Sequence, residues 1–269
     1  MRIMTAQSGL GRQERDAHGN IVSILLWGAL IVAIVAGLLF CLYPQLDLAT
    51  SGYFYLGNGV FSGKGGGVFA GGAPRTLADY VRLTLYFSFI AVCVVNVIGL
   101  IASSVLKSDV FGLGFVRWLF LAACLALGPG LVGNVMLKDG WGRARPVQIK
   151  EFGGSKKYSL PIVRSDQCRR NCSFVAGEAS MMYATFFASA FIFPAIGGAL
   201  VAAGVAFGLL AGFIRISQGA HFLSDVIFAG VTMALTVVAI YLVFRTIARK
   251  RDARRGEKIQ DPLTGQRLW

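Results

Sequence analysis

The sequence predicts an all-α integral membrane protein built as a bundle of six transmembrane helices, and three observations predict it. Hydrophobic residues make up 55% of the 269-residue chain and charged residues only 14%. Mean hydropathy is +0.65, well outside the range of soluble domains. Six apolar runs, at residues 21–43, 83–106, 115–136, 174–193, 195–214 and 222–244, approach or exceed the ~20 residues that a helix needs to cross a bilayer.

The first run follows a tail carrying Arg2, Arg12, Arg15, Glu14 and Asp16 and lacks a small-residue cleavage pattern, so it reads as a retained helix. Residues 44–79 hold many glycines with Phe54, Phe61 and Phe69 among them, the composition of a flexible segment resting at the membrane interface. A flap over a lipid entry is the functional reading of that loop and a tolerated long connection the plainer one. The second and third runs are ordinary apolar spans joined through Lys107, Asp109 and Gly112. The fourth and fifth form one apolar stretch, divided at Pro194 because proline ends a helix. Asn171 or Ser173 is the expected N-cap of the fourth helix.

The polar residues gather in three places. Lys138, Arg143 and Arg145-Pro146 crowd the end of the third helix with Gly140 and Gly142 between them, a composition suited to a bound anion. Ala176, Gly177 and Glu178 open the fourth helix, where free backbone N–H groups favour phosphate and an ionisable group at an apolar edge tends to have a use. Arg215, His221 and Asp225 lie between the fifth and sixth helices. Asp225 stands four residues after His221, on one face if the helix has begun, so a carboxylate can hold one imidazole nitrogen and leave the other free. Taken alone, Arg215 and Asp225 could equally anchor helix ends. Alternation of the spans puts all three groups on one membrane face, and this convergence favours catalysis.

These residues resemble the type 2 phosphatidic acid phosphatase (PAP2) superfamily. Lys138, six residues, Arg145-Pro146 is similar to its first motif, and Arg215, five residues, His221, three residues, Asp225 to its third. The resemblance implies phosphoryl transfer without a metal or other cofactor. His221 would be the nucleophile, Asp225 would orient it, and Lys138, Arg145, Arg215 and the backbone at Ala176 and Gly177 would hold the phosphate, with Arg143 an additional contact. The chain departs from the family at the second motif, where Glu178 replaces the general-acid histidine and Ala176 a serine; a buried Glu178 could still donate the proton. The Ser-Phe-x-x-Gly-Glu form resembles the branch of bacterial lipid A phosphatases acting at the 4′ position.

The expected partner is therefore a lipid phosphate, foremost lipid A, with no nucleic acid and no obligate protein partner implied. Undecaprenyl pyrophosphate, phosphatidylglycerol phosphate and phosphatidate are rival substrates, and a phospholipid-binding protein with lost or weakened turnover is the rival of another class. A transporter fits poorly, because the apolar runs carry almost no ionisable residues away from their ends. The 26 lysines and arginines divide equally between the two sides. The dense cluster from Arg245 to Lys258, directly at a helix end, then assigns both termini to the cytoplasm of a bacterial inner membrane and the site to the periplasm. Cys168 and Cys172 fall on the periplasmic side and can pair there, with a zinc site the lesser alternative. The expected organisation is a cytoplasmic tail over 1–20, the membrane phosphatase domain over 21–246 and a basic cytoplasmic tail over 247–269.

Overall fold

The computed structural model describes residues 2–63, 76–256 and 260–263, with side chains described from Ala17 onward. Helix α1 (Arg2–Leu42) leads into a short α2 (Gln45–Gly52) and a hairpin of β1 (Tyr55–Gly57) and β2 (Val60–Phe61). Helix α3 (Leu77–Leu106) precedes α4 (Phe115–Leu125), which widens into a π-helix over Ala126–Lys138. Helices α5 (Gly177–Ile192), α6 (Gly197–Ser217) and α7 (Leu223–Arg255) complete the bundle.

Five of these elements, Ala17–Leu42, Leu77–Leu106, Phe115–Lys138, Pro194–Ser217 and Leu223–Arg255, are long and apolar enough to cross a membrane. The protein is a multi-pass membrane protein. Its polarity is inverted accordingly: Trp27, Ile31, Ile34, Val35 and Leu38 of α1 are all more than half exposed, a face that lipid covers at no cost and water would penalise. Helix α5 has 16 residues, about 24 Å at 1.5 Å per residue, and it is the bundle's central element, packed on α4, α6 and α7.

The helix ends differ from expectation for local reasons. Helix α3 begins at Leu77 rather than residue 83, because Thr76 and Asp79 form a reciprocal capping box that satisfies two orphan donors. Helix α5 begins at Gly177 rather than 174. The chain before it spends its backbone on tertiary partners, with Ser173 N–H donating to Arg143 O (2.8 Å) and Ala176 N–H to Asp225 O (3.2 Å). The N-cap is thus Ala176, with no side-chain bond, and not Asn171 or Ser173. The break at Pro194 is present as a single 3-10 turn, Pro194–Ile196. Helix α1 runs back to Arg2 and α7 on to Arg255, beyond the apolar runs that they contain.

Helix α6 reaches α5 and α7 through a ridge of Gly204, Gly208 and Gly212, spaced four apart. A Cβ on Gly208 would overlap the Tyr183 ring, one on Gly204 the Phe187 ring and one on Gly212 Val226. Small residues at this spacing let helix backbones approach closely.

The segment expected to be a flexible loop is ordered over 44–63. Asn58 and Gly59 take positive φ (49° and 75°), as a tight hairpin turn requires. The hairpin buries Phe61 with Ala144, Ile149, Phe152 and Phe222 in a second apolar cluster, and Gly63 N–H donates to Ser217 O (3.0 Å). This cap sits on the turn between α6 and α7. Gly65–Gly67, Phe69, Gly71 and Gly72 of the expected flap over 44–79 lie outside the described residues.

Candidate active site

His221 sits in the turn between α6 and α7 and is 2% exposed. Its Nδ1 lies 2.6 Å from Ser173 O and 3.8 Å from Asp225 Oδ2. The closer contact requires an Nδ1–H donor, which leaves the Nε2 lone pair free. Burial lowers the imidazole pKa from 6.5 to about 4, so the neutral, nucleophilic form dominates at neutral pH. The expected pairing of Asp225 with the ring is shared with the Ser173 carbonyl, and Asp225 also fixes the frame around the ring, accepting from Ser173 Oγ (2.5 Å), Phe222 N–H (2.9 Å) and Arg143 Nη1 (2.5 Å).

Arg143 is fully buried. Its Nε donates to Ser159 O (2.9 Å), Nη1 to Ser224 Oγ (2.8 Å) and Asp225, and Nη2 to Asp47 Oδ2 (2.8 Å) and Tyr158 Oη (3.4 Å). A guanidinium has five N–H donors, and all are used, so Arg143 has none left for a phosphate. Burial alone would lower its pKa, but Asp225 and Asp47 outweigh that and hold it above its usual value. The Phe222 ring covers the guanidinium at 4.4 Å, a favourable cation–π contact.

Asp47, overlooked in the sequence, completes this unit. It is fully buried and accepts from Ser224 N–H (2.9 Å), Ser224 Oγ (2.5 Å) and Tyr158 Oη (3.2 Å) besides Arg143. A signal was available: Asp47 is the lone Asp, Glu, Lys or Arg between Asp16 and Lys64, and an isolated charge beside an apolar span asks for a partner.

Lys138 and Arg145 act electrostatically on His221, and Arg145 and Arg215 on Lys138. Lys138 closes the widened helix, and a Cβ on Gly177 would lie 3.0 Å from its Nζ, so the ammonium stands beside the first turn of α5, where the backbone N–H groups lack intrahelical acceptors. Pro129 inside the widened segment removes one N–H and disfavours regular α geometry upstream. Arg145 uses Nε and Nη2 on Asn171 O (3.1 and 2.8 Å) and Nη2 on Asn171 Oδ1 (2.7 Å), leaving Nη1 unpartnered among the described residues. Arg215 gives Nη1 to Gln218 Oε1 (2.5 Å), while its buried Nε has no hydrogen-bond partner. Cys168 and Cys172 are joined by a disulfide with Cα atoms 5.6 Å apart, and Cys172 N–H donates to Lys138 O (3.1 Å).

Glu178 does not stand as a free acid. Its Oε1 and Oε2 accept from Arg82 Nε (2.9 and 3.1 Å), Arg82 Nη2 lies 2.8 Å from Oε1, and Arg215 Nε lies 3.7 Å from Oε2. Arg82 was overlooked because the expected helix began one residue after it. Among the described residues no group of three or more His, Cys, Asp and Glu gathers as metal ligands would.

The arrangement is a buried neutral imidazole near a helix N-terminus, with cations from two distant parts of the chain, which suits attack on a phosphoryl group. A family model described as PAP2 superfamily matches residues 117–249. Curated relatives agree with it. A protein named lipid A 4′-phosphatase from Francisella tularensis subsp. novicida is 36% identical over 83% of this chain and 96% of its own length. Proteins of the same name from Rhizobium leguminosarum and Rhizobium etli are 30% and 32% identical over 80% of this chain, covering 91% and 83% of theirs. No solved structure matches the chain significantly.

Proposed function

The chain belongs to the PAP2 superfamily, and we propose that it is a membrane phosphatase that removes the 4′-phosphate of lipid A. The observation that carries the reading is the convergence of Lys138, Arg145 and Arg215 with the α5 N-terminus around His221, together with the printed activity of its relatives. The first step forms a bond from His221 Nε2 to phosphorus as the ester P–O bond breaks. The electrons leave on the sugar oxygen, which takes a proton from water at the mouth of the site. The cations and backbone N–H groups stabilise charge on the equatorial oxygens. Water then attacks phosphorus, the P–N electrons return to Nε2, and inorganic phosphate departs.

The site faces the periplasm of a bacterial inner membrane, both termini are cytoplasmic, and α5 crosses with the other five long helices. The basic cluster at the end of α7 supports this orientation, as does the disulfide beside Lys138, which an oxidising compartment maintains. Exposed Lys150, Lys156, Lys157, Arg169 and Arg170 suit a head group with several anionic positions.

The test is phosphate release from purified lipid A in EDTA by the parent, His221→Ala and Ala176→Ser. Release that survives EDTA and vanishes in His221→Ala is expected, with a gain in Ala176→Ser, because serine supplies the missing cap and a phosphate donor. Release from undecaprenyl pyrophosphate, phosphatidylglycerol phosphate or phosphatidate with lipid A untouched would replace the substrate. Lipid binding without any release would replace the enzyme reading with a binding protein.

A further inference from the structure

Glu178 occupies the place where the resemblance puts a proton donor, yet its surroundings are those of an acceptor. Arg82 Nε reaches both carboxylate oxygens, at 2.9 and 3.1 Å, and Arg82 Nη2 lies 2.8 Å from the first. The second oxygen also faces Arg215 Nε at 3.7 Å. An oxygen pair accepting from a guanidinium fork has no proton to give.

The pairing reaches further than two residues. Arg215 Nη1 donates to Gln218 Oε1 (2.5 Å), and Gln218 Nε2 donates to Asp79 Oδ1 (3.0 Å). Asp79 and Arg82 lie three residues apart on α3, so they share a helix face. The contacts Arg82, Glu178, Arg215, Gln218, Asp79 therefore run as a chain of side chains that leaves α3, passes α5 and the end of α6, and returns to α3. Each acceptor in it is engaged by a donor of the same chain. The buried Arg215 Nε is ion-paired with Glu178 but has no hydrogen-bond partner, and Arg82 keeps an edge open to an anion, at 32% side-chain exposure.

We propose that Glu178 is a positioning residue that holds Arg82 and Arg215 as a paired guanidinium wall for the phosphorylated substrate, and that Arg82 is a substrate-binding residue. The inference rests on the phosphatase reading for its kinetic arm. The leaving oxygen then draws its proton from water and not from Glu178.

Two substrates separate this role from acid catalysis. p-Nitrophenyl phosphate expels a phenolate that needs no proton, whereas a dialkylglycerol phosphate expels an alkoxide that does. Glutamine at 178 keeps the shape but turns an amide N–H against the guanidinium. Glu178→Gln and Arg82→Ala are each expected to raise KM on both substrates by roughly tenfold and to change kcat little. Arg82→Lys should recover part of the loss, and the double variant should lose little more than either single one. A kcat loss of ~10²-fold or more confined to the alkyl substrate in Glu178→Gln, with the basic limb of the pH profile removed, would overturn the proposal. Titration of inorganic phosphate into the parent and Arg82→Ala gives an arm independent of turnover. Weaker binding at unchanged Tm is expected in the variant, and equal binding would overturn the proposal even if the chain hydrolyses lipid phosphates. Failure of the parent on both substrates and on lipid A would instead remove the phosphatase reading.

Discussion

Two clusters of arginine and carboxylate flank His221, and they are built from the same chemistry to opposite ends. In the first, Asp47, Arg143 and Asp225 are all 0% exposed at the side chain, every guanidinium donor has a partner, and no group faces open space. In the second, Glu178, Arg82 and Arg215 have side-chain exposures of 20%, 32% and 13%, and at least one buried donor is left over. The difference teaches that residue type does not tell a structural arginine from a ligand-binding one. What tells them apart is the count of donors satisfied within the fold, because a buried donor without a partner costs free energy until a ligand supplies one.

The comparison is broken most strongly from the closed side. Arg143→Met strands Asp47 and Asp225 as buried, unpaired carboxylates. The expected cost is about 3–5 kcal/mol, read as a large fall in Tm with activity lost alongside. On the open side, Arg215→Ala should leave Tm nearly unchanged while kcat/KM falls by roughly 10²–10³-fold, the scale for removing one donor to a developing oxyanion. Equal Tm losses in the two variants would erase the distinction.

The turn between the clusters gives a pH signature. His221 has a folded pKa of about 4 against 6.5 for an exposed histidine of the unfolded chain, so below pH 6.5 the unfolded chain takes up a proton that the folded chain refuses. Its contribution to stability is therefore complete above pH 6.5 and is lost as pH falls toward 4. A melting series should decline across that window and flatten in His221→Gln. The acid limb of kcat/KM, corrected for ionisation of the substrate, should lie below pH 6 for the same reason. The smallest effect belongs to Tyr158→Phe, which deletes one bond each to Asp47 and Arg143 and should cost about 1 kcal/mol, measurable by denaturation with activity retained.

The apolar runs determined the membrane class and the long helices by themselves, because hydrophobic length is a local property that a bilayer reads directly. Pro194 likewise marked a helix end through its own missing donor. The spacings at Lys138–Arg145 and Arg215–His221–Asp225 marked the candidate site, since spacing along the chain is what one turn and one helix end preserve. Tertiary structure alone decided the partners. Asp47 and Arg143 are 96 residues apart, as are Arg82 and Glu178, and no local pattern links them. It also decided that the carbonyl of Ser173 orients His221, that Arg143 is saturated, and that Glu178 accepts from Arg82. The physical reason is common to all of these. A polar group's role depends on which donors and acceptors the fold brings within about 3 Å of it, and helix packing sets that distance.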